Sequence, residues 1–313
     1  MIVLPPTDSP VLVIGAAGVD VVGRLSTDLK SGTSTPAQIR FSFGGVARNV
    51  AENLTRLGHG VNLITAVGSG YFGDQLLKQV SDAGVNTEYV VRTQEPTGSY
   101  IAVLAEGEKQ FALDDMRALT AITPAYLRDH YALFKESALL FLDANLSPET
   151  LKTAFSLARR ARLPVIADPT STTLGVKLLP YLSRLMMITP NSAETTIFCP
   201  QPFHDAQKDR AVEAAKYLVS TGVDIAIITL DEFGVCYATS ETNGYLPAIR
   251  TEISDPTGAG DALTATVIFA LLNQISLDDA VRLGLSAASL TLRHRGAVLP
   301  DLSLEKLYAQ LLI

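Results

Sequence analysis

Residues 255–261 read DPTGAGD and run straight into ALTATVIFALLNQ, an apolar segment of helical length. The small run Gly258-Ala259-Gly260 places a helix start near Ala259. The first turn of any helix has unpaired N–H groups and the positive end of the macrodipole, which together favour an anion. Glycines let a phosphate approach the backbone closely because no Cβ intervenes. Asp261 falls inside that first turn. Its carboxylate suits the N-terminus electrostatically, but it would compete with a bound phosphate unless it served that phosphate's chemistry. Beside an anion hole it can accept the proton of a substrate hydroxyl as that oxygen attacks phosphorus. The Walker pattern G-x-x-x-x-G-K-[ST] is absent, which excludes a P-loop enzyme.

Outward from this stretch, short apolar runs alternate with amphipathic segments: VLVIG (11–15), VNLITAV (61–67), ALLFLD (138–143), PVIAD (164–168), LMMIT (185–189) and DIAIITL (224–230). In VARNVAENLTRLG, Val46, Val50, Leu54 and Leu57 recur at helical spacing and Gly58 is placed to end the helix. Such a series predicts an α/β fold, a mostly parallel sheet with helices on both faces and ligands bound beyond the carboxyl ends of the strands. Two stretches break the rhythm. Residues 16–43 have no helical period, and residues 87–113 hold TEYVV, SYIAVLA and KQFAL, separated by turn chemistry at Glu95–Gly98 and Glu106–Glu108. They read as antiparallel strands of a small separate sheet, a lid inserted into one domain spanning 1–313.

GSGYFG (68–73) carries the G-x-G-x-x-G spacing of dinucleotide sites after a strand-like run. The acid twenty residues on, Glu88, precedes its strand instead of closing it, so it cannot reach a ribose; a tight structural turn fits better. The 313 residues are 47% hydrophobic and carry a formal net charge of −7. With no basic stripe, nucleic acid is not an expected partner. No apolar run has membrane-spanning length, and the N-terminus lacks signal-peptide features, so a cytoplasmic location is expected. Two cysteines, Cys199 and Cys236, read as free thiols. The four histidines are scattered and show no base–nucleophile pairing.

In these motifs the chain resembles the ribokinase-like, or PfkB, carbohydrate and nucleoside kinases. DPTGAGD is similar to that family's C-terminal signature and FGGVARNVAENLTRLG (43–58) to its N-terminal one. TPNSAE (189–194) is similar to its N-x-x-E element and TLDEFGV (229–235) to its nucleotide-binding turn. The resemblance covers nearly the whole chain and implies a ribokinase-like core with a β-sheet lid. It implies Asp261 as the catalytic base and Gly258, Ala259 and Gly260 as the anion hole. Asp20, Gly45 and Asn49 become contacts to sugar hydroxyls; Thr229, Gly234 and Asn191 line the nucleotide site. Asn191 and Glu194, at i and i+3 on one helix face, reach a hydrated Mg²⁺ that accompanies ATP. Asp255 and Thr257 correspond to positions near a monovalent-cation site in some members, which makes K⁺ an option, with RHRGA (293–297) supplying carbonyls. Lid strands sometimes pair between subunits, so a homodimer through the lid is compatible.

GAAGVDVVG, GGVARN, FALDDMRALTAITPAYL (111–127), FLDAN (141–145) and IADPTS (166–171) resemble the pseudouridine-phosphorylating branch, which implies transfer of the ATP γ-phosphoryl group to a ribosyl 5′-hydroxyl. Asp115 with Met116, and Asp143 with Asn145, then border the nucleoside, though loop Asp and Asn equally often cap turns. Ribose or another sugar or nucleoside is the alternative acceptor. A non-catalytic sugar-binding regulator is the alternative class, against which the intact Asp261 and glycine run argue. Three positions depart from the family pattern: Gly70 where Asp is frequent, Asp231 where glycine is usual, and Pro256 where Thr is common.

Overall fold

The quartets VLVI, LFLD and VIAD bury every residue or nearly so, as strands covered on both faces must. In the computed structural model, which describes residues 8–311 except 31, 106, 107, 202 and 204, these runs form the middle of an eight-stranded sheet. From one edge its order is β14 (Asn243–Leu246), β13 (Val235–Ala238), β12 (Ile225–Thr229), β11 (Met187–Ile188), β10 (Val165–Asp168), β9 (Leu140–Asp143), β1 (Val11–Ile14) and β4 (Val61–Ile64). All pairings from β12 to β4 are parallel, while β13 and β14 add an antiparallel hairpin at the edge. Alternate residues of β1 feed two cores: Val11 and Val13 pack with the helices Val46–Arg56 and Ala259–Leu272, Leu12 and Ile14 with the helix Pro148–Ala161. β1 lies between β4 and β9, so consecutive strands leave it in opposite directions. A crevice opens at such a switch point, beyond the carboxyl ends of the strands.

The second sheet has the order β3 (Ala37–Gly44), β2 (Gly18–Leu25), β7 (Gly98–Ala105) and β8 (Glu108–Asp115). β2 continues β1 after a three-residue turn, and β3 leads through Gly45 into the Val46–Arg56 helix. The small sheet therefore grows from the crevice at both ends of one hairpin. One face of it carries Asp20, Arg40 and Ser42 in register, and the opposite face carries Ile39, Phe41, Ile101, Phe111 and Leu113. Those five apolar side chains are 39–64% exposed.

One expectation fails locally. TEYVV does not join the small sheet; β6 (Val91–Thr93) pairs in parallel with β5 (Ala66–Gly68), because VNLITAV breaks at Thr65 into β4 and β5. Of the expected turn Glu106–Glu108, residues 106 and 107 lie outside the described residues. The same holds for His204. GSGYFG is the turn it was read as: a Cβ on Gly68 would meet Thr97 N at 2.6 Å and one on Gly73 would meet Gly68 O at 2.0 Å. The helix Tyr71–Asp82 that follows sets Phe72 in a stack with Phe41 of β3, centroids 6.2 Å apart. Met186, Met187, Cys199 and Cys236 are buried. Among the described residues no helix is long and apolar enough to cross a membrane.

Candidate active site

Gly258 caps the Ala259–Leu272 helix in the left-handed region, φ +80°, with its Cα against Ala297 O; an added Cβ would sit 2.0 Å from that oxygen. At Gly260 an added Cβ would meet nothing within 4 Å. The space beside the first turn of this helix is therefore open at Gly260, as an anion hole requires. Asp261 follows, partly exposed. Burial, offset in part by the hydrogen bond from Asn49, then reinforced by Asp143, Asp20 and Glu194, pushes its carboxyl up to about 7.

Asn49 Nδ2 donates to Asp261 Oδ2 at 2.7 Å, and Asn49 Oδ1 accepts from Arg48 NH1 at 3.0 Å. Arg48 also donates to Phe43 O at 3.2 Å and is ion-paired with Glu52 one turn along. Glu52 in turn holds Arg56 at 3.0 Å. Arg48 and Glu52 are 1% exposed. The amide of an Asn has no preferred end of its own. Here the guanidinium on Oδ1 selects the orientation that turns Nδ2 toward Asp261. Sequence reading singled out Arg48 only as part of a family likeness and passed over Glu52, although its i+4 spacing is the signal for such a pair.

Asp20, on β2, is 8% exposed. Burial raises its carboxyl to about 6, with Arg48 opposing and Asp255 adding to the rise. The paired glycines before the helix make room for it. A Cβ on Gly44 would lie 2.0 Å from Asp20 Oδ2, and one on Gly45 (φ +99°) would meet Ala16 O and Ala17 Cα at 2.5 and 2.7 Å.

Asp143 has another job than the expected acceptor contact. It is fully buried, its Oδ2 accepts from Ala16 N at 2.7 Å and Ala47 N at 3.2 Å, and its Oδ1 accepts from Asn145 N and Nδ2 at 2.9 and 3.0 Å. It ties β9 to the turn after β1 and to the helix start that presents Asn49. Asp115 is likewise engaged: Arg117 grips both its oxygens and holds its carboxyl down to about 2. Asn191 and Glu194 lie side by side at one helix start. Asn191 is the N-cap of the Ser192–Phe198 helix and Glu194 its third residue, joined in a reciprocal capping box at 2.8 and 3.0 Å. Burial raises the Glu194 carboxyl. Asp168, at the carboxyl end of β10, was missed by sequence reading although it closes the quoted run PVIAD. Burial, then Glu194, Asp261 and Asp143, hold its carboxyl well above the usual range. Four carboxylates from β9, β10 and two helix starts therefore share one electrostatic field.

Thr229 ends β12, its N–H bonded to Pro190 O at 3.0 Å beside the capping box. Gly234 (φ +108°) turns the chain into β13, where a Cβ would meet Leu246 O at 2.1 Å. Asp231 sits at φ +45°, the left-handed region that explains a glycine preference there; Asp is one of the few other residues that tolerate it. Asp255 accepts from Thr257 N at 3.1 Å and is ion-paired with Arg40 of β3.

Fold and site together define a class, a ribokinase-like phosphotransferase with an alcohol as acceptor. Residues 9–303 match the family described as pfkB family carbohydrate kinase, and the chain belongs to it. It is 31% identical to the pseudouridine kinase of Escherichia coli over 94% of each chain. It is 26% identical to the guanosine-inosine kinase of Exiguobacterium acetylicum, covering 89% of this chain and 93% of that one. In structure it is similar to an Arabidopsis thaliana ribokinase solved with ribose and ATP (TM-score 0.85, 21% identity, 97% of this chain and 98% of that one covered).

Proposed function

We propose that this kinase transfers the γ-phosphoryl group of ATP to the 5′-hydroxyl of a ribosyl compound, and that the acceptor is pseudouridine. The observation that carries the reading is the placement of Asp261, a carboxylate with its proton affinity tuned near neutrality, at the open first turn of a glycine-capped helix. Asp261 takes the hydroxyl proton while the hydroxyl oxygen forms its bond to phosphorus. The bond between the γ-phosphorus and the β–γ bridging oxygen breaks and ADP leaves. The N–H groups of Ala259, Gly260 and Asp261 stabilise the charge of the transferring group. Asn49 holds the base in place, and Asp20 accepts hydrogen bonds from ribose hydroxyls. Thr229, Asn191 and Gly234 border the nucleotide.

Asp168 and Glu194 fit a divalent cation. Their carboxyls are raised by burial, that of Asp168 also by Glu194 itself, an excess of negative charge that a cation relieves. Among the described residues no group of three or more His, Cys, Asp or Glu is arranged to hold a metal alone, which suits magnesium with most of its shell supplied by water and phosphate. Bound there, Mg²⁺ would neutralise charge on the β- and γ-phosphates.

The 31% relative favours pseudouridine, whereas the guanosine-inosine kinase and the ribokinase favour a purine nucleoside or ribose. An ADP-release panel with pseudouridine, uridine, guanosine, inosine and ribose separates them. Pseudouridine is expected to give the highest kcat/KM; a clear preference for ribose or a purine nucleoside would move the assignment.

A further inference from the structure

The loop ahead of the anion hole carries a charge the chemistry above does not use. Asp255 is 4% exposed and both its oxygens are engaged, Oδ1 by Thr257 N–H at 3.1 Å and Oδ2 by the Arg40 guanidinium. Burial would raise its carboxyl, but the Thr257 and Arg40 contacts outweigh burial and leave it below the ordinary value. Arg40 reaches this loop from β3, on the same face of the small sheet as Asp20 and one pair further out, opposite Val22. A cavity of about 550 Å³ adjoins the contact, with Arg24, Arg40 and Arg295 among its walls. Family resemblance points to a monovalent cation at Asp255 and Thr257, and these residues do not fit one. The Arg40 guanidinium already sits against the carboxylate and neutralises it, each oxygen has a donor on it, and Arg24, Arg40 and Arg295 in the walls of the adjoining cavity repel a second cation.

We propose that Arg40 is the in-chain substitute for that cation: the chain neither binds nor needs K⁺ at Asp255, and the positive charge that orders the anion-hole loop is delivered by the lid strand. A guanidinium stays charged at every physiological pH and its fork matches a carboxylate, so it can do this without a free ion. Arg40 is a positioning residue, acting on the loop and not on the reacting atoms. The proposal rests on the kinase reading only in its activity arm.

Thermal unfolding of the full chain in KCl and in tetramethylammonium chloride of equal ionic strength tests it without substrate. Wild-type Tm should agree between the salts within about 1 °C, and a larger K⁺-specific rise would overturn the proposal. Arg40→Met keeps an apolar stem and removes the charge. Its Tm should become higher in KCl than in tetramethylammonium chloride, and thallium(I), a K⁺ mimic visible by anomalous scattering, should appear at Asp255 in crystals of the variant only. Thallium at Asp255 in the wild type, or a variant that responds to neither ion, contradicts the substitution. If Arg40→Met does not fold, Arg40→Lys retains a charge and should unfold alike in both salts; a K⁺ response there counts against the idea. In the activity arm, wild-type phosphoryl transfer should proceed at the same rate in either salt. Absence of transfer with every acceptor would instead speak against the kinase reading and leave the two binding arms to decide this one.

Discussion

At the scale of single residues the account turns on Asp261. A carboxyl pushed up to about 7 is half ionised near neutrality, so the acid limb of kcat/KM should rise through about pH 7 as the base loses its proton. Asp261→Asn should lower turnover by about 10³-fold or more while nucleotide binding, measured by calorimetry, stays close to wild type. The same shift affects stability. The folded chain holds this proton more tightly than the unfolded chain, whose Asp titrates near 3.8, so stability falls as pH rises between those two values. Asp261→Asn should therefore unfold at a higher Tm than wild type above about pH 7, with the gap closing toward pH 4. Asp20→Ala should weaken acceptor binding far more than ATP binding; equal losses would remove it from the sugar site. The placement of Asp261 at a glycine-led helix start was legible in the sequence because glycine run, acid and apolar helix are contiguous. The role of Asp143 was not: its partners Ala16 and Ala47 lie about a hundred residues away, and a strand-end Asp looks the same whether it faces a ligand or backbone N–H groups.

At the scale of elements, two helix starts do the positioning, and their glycines are not equivalent. Gly258→Ala puts a Cβ on Ala297 O at a positive φ, so Tm should drop. Gly260→Ala has open space around it and a better helix former, so Tm should hold or rise, while turnover should fall if the methyl enters the proposed anion hole. Similar stability in both variants would show that the cap is not what fixes this loop. In the Val46–Arg56 helix the Arg48–Glu52 pair is out of contact with solvent. Arg48→Met should cost about 3 kcal/mol by leaving a buried carboxylate with one partner fewer, and should also lower turnover by freeing the Asn49 amide. The helix itself was readable from Val46, Val50, Leu54 and Leu57. The ion pair within it was harder to see, since period alone assigns charged residues to the solvent face.

For the whole molecule, the parallel sheet followed from continuous apolar strands, and the small separate sheet from the failure of period in 16–43 and 87–113. TEYVV was misplaced because a short strand next to a turn pairs with whatever edge is near, and the edge it met was β5. The apolar outer face of the lid, Ile39, Phe41, Ile101, Phe111 and Leu113, is where a homodimer would form. Sedimentation velocity should then give a dimer mass that Phe41→Glu converts to monomer, and a wild-type monomer would refute it. Sheet, lid and helix starts converge on one claim, that Asp261 at the switch-point crevice drives phosphoryl transfer to a ribosyl hydroxyl. The most direct test is phosphorus NMR of wild type and Asp261→Asn incubated with ATP, Mg²⁺ and pseudouridine. The account predicts ADP and a 5′-phosphomonoester in step for the wild type and neither for the variant. A variant that forms the ester at the wild-type rate, or a wild type that forms none with any ribosyl acceptor, would contradict it.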